Sequence, residues 1–200
     1  MDAAVLACTC TAAEAAYVDS YHYRAVRIGR GGAVLEPANG AFNVTVAPGA
    51  NVQAAVDACP RGGCVLLLPG THAGPLVLTA DQEVHVFGRG LATLSLHAAS
   101  GDLINSVAAT STIDGLILRY APKEVFTEED GVGDAAEHGV RIGGGGLRLQ
   151  NCDLASASPF ACLYVEGPHT DPVIVGCWYV GSRRAVLFSD ERRSFLTFLL

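Results

Sequence analysis

The chain has 200 residues, half of them apolar or aromatic, only 16% Asp, Glu, Lys or Arg, and a formal charge of −7. This is enough chain for one domain with a substantial core, and too little clustered positive charge for a nucleic-acid surface, since basic residues adjoin only at Arg183-Arg184 and Arg192-Arg193. No apolar run approaches the roughly 20 residues that cross a bilayer as a helix, and Asp2, Cys8, Cys10 and Glu14 spoil the pattern of a secretory leader, so the reading leans towards an intracellular protein.

Residues 1–42 form a preface with no clear period. Within it 12–17 read as a short helix and 25–28 as a strand ended by Gly29-Arg30-Gly31-Gly32, a turn that lacks the following helix and Lys-Ser/Thr of a phosphate loop. From 43 to 200 the pattern changes. A strand over 42–46 precedes a short helix near 51–59, with Asn51 as its N-cap, Val52, Ala55, Val56 and Cys59 on one apolar face, and Pro60 as its stop. Cys59 and Cys64 flank Pro-Arg-Gly-Gly and are read either as two buried thiols or as a small disulfide loop. Short strand-like runs then follow one another at 64–68, 76–78, 84–87, 94–96, 103–104 and 116–118 with no helix between them and few Asn-Gly or Asp-Gly hairpin signals. Parallel strands linked this closely must be successive sides of a coil.

The sequence nearly repeats itself at the far end. Leu147-Arg148-Leu149-Gln150-Asn151-Cys152-Asp153-Leu154 recurs as Pro172-Val173-Ile174-Val175-Gly176-Cys177-Trp178-Tyr179, and each copy is followed by a second apolar run, 162–165 and 185–188. A period in the twenties made of strands indicates a solenoid whose repeats bury their apolar faces against each other. The expected fold is all-β, a right-handed parallel β-helix with a short N-terminal capping α-helix. At about 24 residues per turn, 64–200 would make roughly five to six coils stacked at ~4.8 Å. The apolar tail 192–200 either folds over the last coil or leads into a longer parent chain.

Val44-Thr45-Val46-Ala47-Pro48-Gly49-Ala50-Asn51 with the helix after it, then Val65-Leu66-Leu67-Leu68-Pro69-Gly70-Thr71-His72 and Val84-His85-Val86-Phe87-Gly88-Arg89-Gly90, resembles the opening of pectin-lyase-like right-handed β-helix proteins, with His72 where that superfamily has an aromatic. Residues 145–189 resemble the β-helix repeats of carbohydrate-binding proteins and sugar hydrolases, which also occur in some F-box substrate adaptors. The resemblance implies a fold more strongly than an activity, because this solenoid carries lyases, hydrolases, esterases, epimerases and proteins without catalysis. The Gln-Asp-Thr-Leu and Asp-Phe-Ile-Phe-Gly segments of pectin methylesterases are missing. Of the Gly-His-Gly and Arg-Ile-Lys segments of polygalacturonases the chain offers only Glu137-His138-Gly139-Val140-Arg141-Ile142. Pectate-lyase chemistry would need Ca²⁺, for which the acidic stretch containing Glu128, Glu129, Asp130 and Asp134 offers oxygen ligands, although such a run is also an ordinary solvated loop.

Strand alternation gives the binding candidates. With Leu147, Leu149 and, after a parity reset near Asn151, Cys152 and Leu154 pointing inward, Arg148, Gln150 and Asp153 point outward, and the 25-residue offset puts Trp178 beside Asp153. Tyr164 and Phe188 are expected to stack one coil apart. Trp178, Asp153, Arg148, Tyr164 and Phe188 thus form an expected outer strip for a sugar or a protein segment; the competing reading packs Trp178 under the C-terminal tail. The six histidines lack metal-ligand spacing and read as scattered surface or turn residues. The functional expectation is a non-catalytic recognition module binding a glycan or a protein segment along an outer strand face, without a cofactor. The alternative is a polysaccharide-active lyase, hydrolase or esterase of the pectin-lyase-like type.

Overall fold

The computed structural model describes residues 23–27, 33–37, 41–98, 101–122, 138–157, 161–167, 170–180 and 186–188. The helix expected at 12–17, the acidic stretch at 124–137 and the tail at 192–200 lie outside the described residues. β1 (Tyr23–Arg27) and β2 (Ala33–Pro37) form an antiparallel hairpin, so the expected strand at 25–28 is present with a partner the sequence pattern did not reveal. Everything after it is a parallel β-solenoid of about 4 turns.

Each turn contributes to a bent sheet and to a second sheet. The first arm of the bent sheet contains β3 (Val44–Val46), β4 (Gly63–Leu67), the leading parts of β7 (Val84–Ala98) and β9 (Thr112–Pro122), β11 (Arg148–Gln150) and β14 (Val173–Val175). Its second arm contains β5 (Gly70–Ala73), the trailing parts of β7 and β9, β12 (Asp153–Ser156) and β15 (Trp178–Val180). The second sheet runs through β6 (Leu76–Leu78), β8 (Ile104–Ser106), β10 (His138–Ile142), β13 (Ala161–Val165) and β16 (Val186–Phe188). The turns number about 4 rather than five to six because their length varies: Asp114 and Gln150, on adjacent strands, are 36 residues apart, whereas Arg141 and Glu166 on the next turn are 25 apart.

The corner between the two arms is where strand alternation resets. Arg89, Gly115, Asn151 and Gly176 all have positive φ, between 51° and 63°, with Gly90 a second left-handed residue beside Arg89, and these residues let the strands on either side both direct apolar residues inward. Asn151 tolerates that conformation because its short polar side chain bonds locally: its Nδ2 donates to Asp114 Oδ1 at 2.9 Å. Its backbone N–H donates to Val175 O one turn on, at 2.9 Å. At Gly176 a Cβ would come within 2.9 Å of Asn151 Oδ1, so the next turn needs glycine at this corner.

Inside, the turns superimpose like residues. Val65, Val86, Ile113 and Leu149 form one buried column; Leu94, Leu118 and Leu154 form another, which begins with the buried His72; Leu76, Ile104, Val140 and Leu163 form the third. Each fully buried aliphatic side chain contributes roughly 1.5–3 kcal/mol, and it does so against the turns above and below, so no turn is stable alone.

The N-terminal end is closed by α1 (Val52–Ala58), which buries Val52 and Val56 and packs on β3, β4 and β6. Asn51 caps it as expected, accepting from Ala54 N–H at 2.9 Å. The helix also masks a sheet edge. Gln53 Oε1 accepts from Val77 N–H at 2.7 Å and Gln53 Nε2 donates to Val77 O at 3.0 Å, so one side-chain amide stands where a strand before β6 would be. Such exposed edges otherwise invite pairing with other chains. Asp57 accepts from Gln53 Nε2 at 2.8 Å and from Gln82 Nε2 at 2.9 Å, fixing the amide's orientation. Gln53→Ala should lower the unfolding free energy by about 1–2 kcal/mol for two partly exposed hydrogen bonds, measured by denaturant titration, with a rise in self-association at high concentration.

Candidate functional site

The second arm presents two outward rows that run along the solenoid axis. Thr71, Thr93, Ile117, Asp153 and Trp178 are in register in one, and Ala73, Ser95, Arg119 and Ala155 in the other. Trp178 therefore lies beside Asp153, as the 25-residue offset predicts. Its side chain is 70% exposed; the tail under which the competing reading packs it lies outside the described residues. Arg119, which the sequence reading missed, joins this pair to the neighbouring row: Nη2 donates to Asp153 Oδ2 at 2.8 Å, and Nη1 donates to the carbonyl oxygens of Asp153 and Leu118, both at 2.9 Å. A half-exposed pair of this kind stabilises the fold by only ~0–1 kcal/mol; its consequence is a guanidinium held flat against the sheet. Beyond Arg119 opens a groove of ≈ 430 Å³ lined by Ser95, Leu96, His97, Tyr120, Ala121, Ala155, Ser156 and Ala157. This volume falls within the range of small-ligand clefts.

Arg148 is not part of that surface. It points away from the core as alternation predicts, but on the first arm, across the left-handed corner, and only 8% of it is exposed. There Arg148 Nε donates to Gln150 Oε1, and Gln150 Nε2 donates to the buried Asp114 Oδ2 at 2.8 Å. The outward side chains of this arm are covered: Cys64, Leu66 and Phe87 form a second apolar cluster with Phe42 and Leu68. Phe42 meets Phe87 edge-on at 5.6 Å, and Arg89 lies over the Phe42 ring. β2 lies against β7 and β9.

Tyr164 faces outward on the second sheet, away from Trp178. It stacks on His138 with ring centroids 4.4 Å apart. Phe188 is not opposite Tyr164: the register pairs Tyr164 with Leu187 and Phe188 with Val165, one residue off the expectation. His138, read as a scattered surface residue, is buried and anchored. Asp102 Oδ1 accepts from His138 N–H at 2.8 Å and lies 3.2 Å from its Nδ1, which fixes the start of β10. Beside them Arg141 Nε donates to Glu166 Oε1 at 2.8 Å. His72 is also interior, its Nε2 2.9 Å from Leu68 O, while His97 is exposed; His22 and His169 lie outside the described residues.

Cys59, Cys64, Cys152, Cys162 and Cys177 are free thiols, all buried except Cys177, which is half-buried; this answers the open question over Cys59 and Cys64. Burial pushes the Cys64 thiol up to about 11, with Cys59 adding to the effect, and raises Cys152 well above the ordinary thiol range. Such groups are poor nucleophiles. Among the described residues no group of three or more His, Cys, Asp or Glu side chains converges on a metal-sized site; the acidic stretch considered for Ca²⁺ lies outside them. No helix among the described residues is long and apolar enough to cross a membrane. No family model, curated protein or solved structure matches this chain.

His85 lies in the covered first-arm row between Cys64 and Thr112. Burial holds its pKa below the usual histidine value against a smaller opposing pull from Glu83. In the unfolded chain the ring takes up a proton near pH 6.5 while the folded one stays neutral, so the unfolded state binds more protons and stability is lost as pH falls below ~6.5. Denaturation curves between pH 7.5 and 5 should show this loss at a slope of at most about 1.4 kcal/mol per pH unit from this residue, and His85→Gln should remove that component. An unchanged slope in the variant would refute the assignment.

Proposed function

We propose that this protein is a non-catalytic recognition module that binds a glycan or a protein segment along the outer face of the second arm. The observation that carries the reading is Trp178: a large aromatic left 70% exposed on a regular strand, in register with Asp153, which is bonded to the groove-lining Arg119. Exposed aromatics of this kind dominate binding energy where they occur, because they bring a rigid apolar area at little conformational cost. Regular spacing of the rows at ~4.8 Å suits an extended, repetitive ligand. Glycan-array and peptide-array binding by the wild type, followed by Trp178→Ala, tests the reading. The variant should fold normally and bind about tenfold or more weakly; binding that survives unchanged removes Trp178 from the site.

A second reading, a polysaccharide-active enzyme of the pectin-lyase-like type, is favoured by the opening residues and by the acid-base side chains Asp102, His138 and Glu166 gathered with Arg141 and Tyr164 on the second sheet. Incubation with acidic polysaccharides, with and without Ca²⁺, should then release unsaturated or reducing-end products, and Glu166→Gln should abolish them. Absence of product on every substrate would dispose of this reading.

A further inference from the structure

Resting on the recognition reading above, we infer that the Trp178 surface is built for an uncharged glycan and discriminates against uronate-type polyanions. Among the residues that line the groove the only formal positive charge is Arg119. That guanidinium is already engaged: two of its donors are spent on the Leu118 and Asp153 carbonyl oxygens and one on the Asp153 carboxylate. The pair is neutral as a unit. A sugar carboxylate entering here would have to displace Asp153 from Arg119 or lie beside it as a like charge, and a chain carrying −7 adds long-range repulsion.

Uncharged sugars ask for something different. Their ring faces present C–H groups that pack on an aromatic plane, and Trp178 offers one. Their hydroxyls each donate and accept, and the half-exposed Asp153 carboxylate in register with Trp178 is an acceptor for them. Across the inner strands of this arm the main-chain groups are already paired from turn to turn, so an extended peptide lying over Asp153 and Arg119 would find no free backbone partners there.

The experiment compares soluble neutral polymers (mannan, xyloglucan, mixed-linkage β-glucan) with polygalacturonate and alginate by calorimetry on the intact protein at low and moderate salt. At least one neutral polymer should bind, about tenfold or more tightly than either polyanion, with affinity nearly independent of salt. Asp153→Asn, which keeps the shape of the side chain but leaves Arg119 unbalanced, should weaken the neutral ligand and admit polygalacturonate in a salt-sensitive manner; its thermal melt confirms folding. Tighter binding of polygalacturonate than of every neutral polymer by the wild type overturns this inference while leaving glycan recognition intact. Binding of peptides but no glycan overturns it as well, and binding of nothing, with Trp178→Ala indistinguishable from wild type, removes the recognition reading itself.

Discussion

The structure depends on vertical registry at one corner. From β7 onward each turn places a left-handed residue at this corner, because strand alternation has period two and the two arms would otherwise turn their apolar residues to opposite sides. Arg89, Gly115, Asn151 and Gly176 meet that demand with different side chains. What they share is backbone conformation. Once the corner is set, the columns of Val65, Val86, Ile113 and Leu149 and of Leu94, Leu118 and Leu154 follow from it, and so does the placing of Arg119, Asp153 and Trp178 on one outward surface.

The three outward faces have been put to different uses. The first arm is covered by apolar contacts and carries a mutually hydrogen-bonded set of Asp114, Gln150, Asn151 and Arg148. The second sheet carries locked pairs, Asp102 with His138 and Arg141 with Glu166, that tie one turn to the next. Among the described residues, the second arm alone combines an exposed aromatic with small neighbours and a groove. Buried carboxylates and amides are costly unless every partner is present, which explains why the polar groups of the first arm are mutually bonded and those of the second arm are left towards solvent.

The fold was legible because its signals are local and repeated. The offset between Cys152 and Cys177, the parity change at Asn151 and the capping helix with Asn51 at its start are all visible as residue types at fixed spacing, and the coordinates agree with each. The site was legible only in part. Asp153 and Trp178 belong to turns of equal length, so their adjacency could be counted. Arg119 lies 34 residues before Asp153, across a longer turn, and simple counting passes over it. Arg148 shows a different limit: alternation tells which way a side chain points but not whether another part of the chain lies over it. Phe188 fell one position out because the offset of 24 was assumed where the strands use 23, as Val165 opposite Phe188 makes plain.

The unequal turns have an architectural consequence. Between Asp114 and Gln150 the chain spends 36 residues, against 25 between Arg141 and Glu166, and yet Ile117, Asp153 and Trp178 remain aligned across the strands that follow. Contour length at the rim is therefore decoupled from the pitch of the stack. A scaffold of this kind can lengthen or exchange a peripheral excursion over evolutionary time and keep its axial columns, so variation in size among descendants would accumulate at such junctions while the ladder itself stayed fixed.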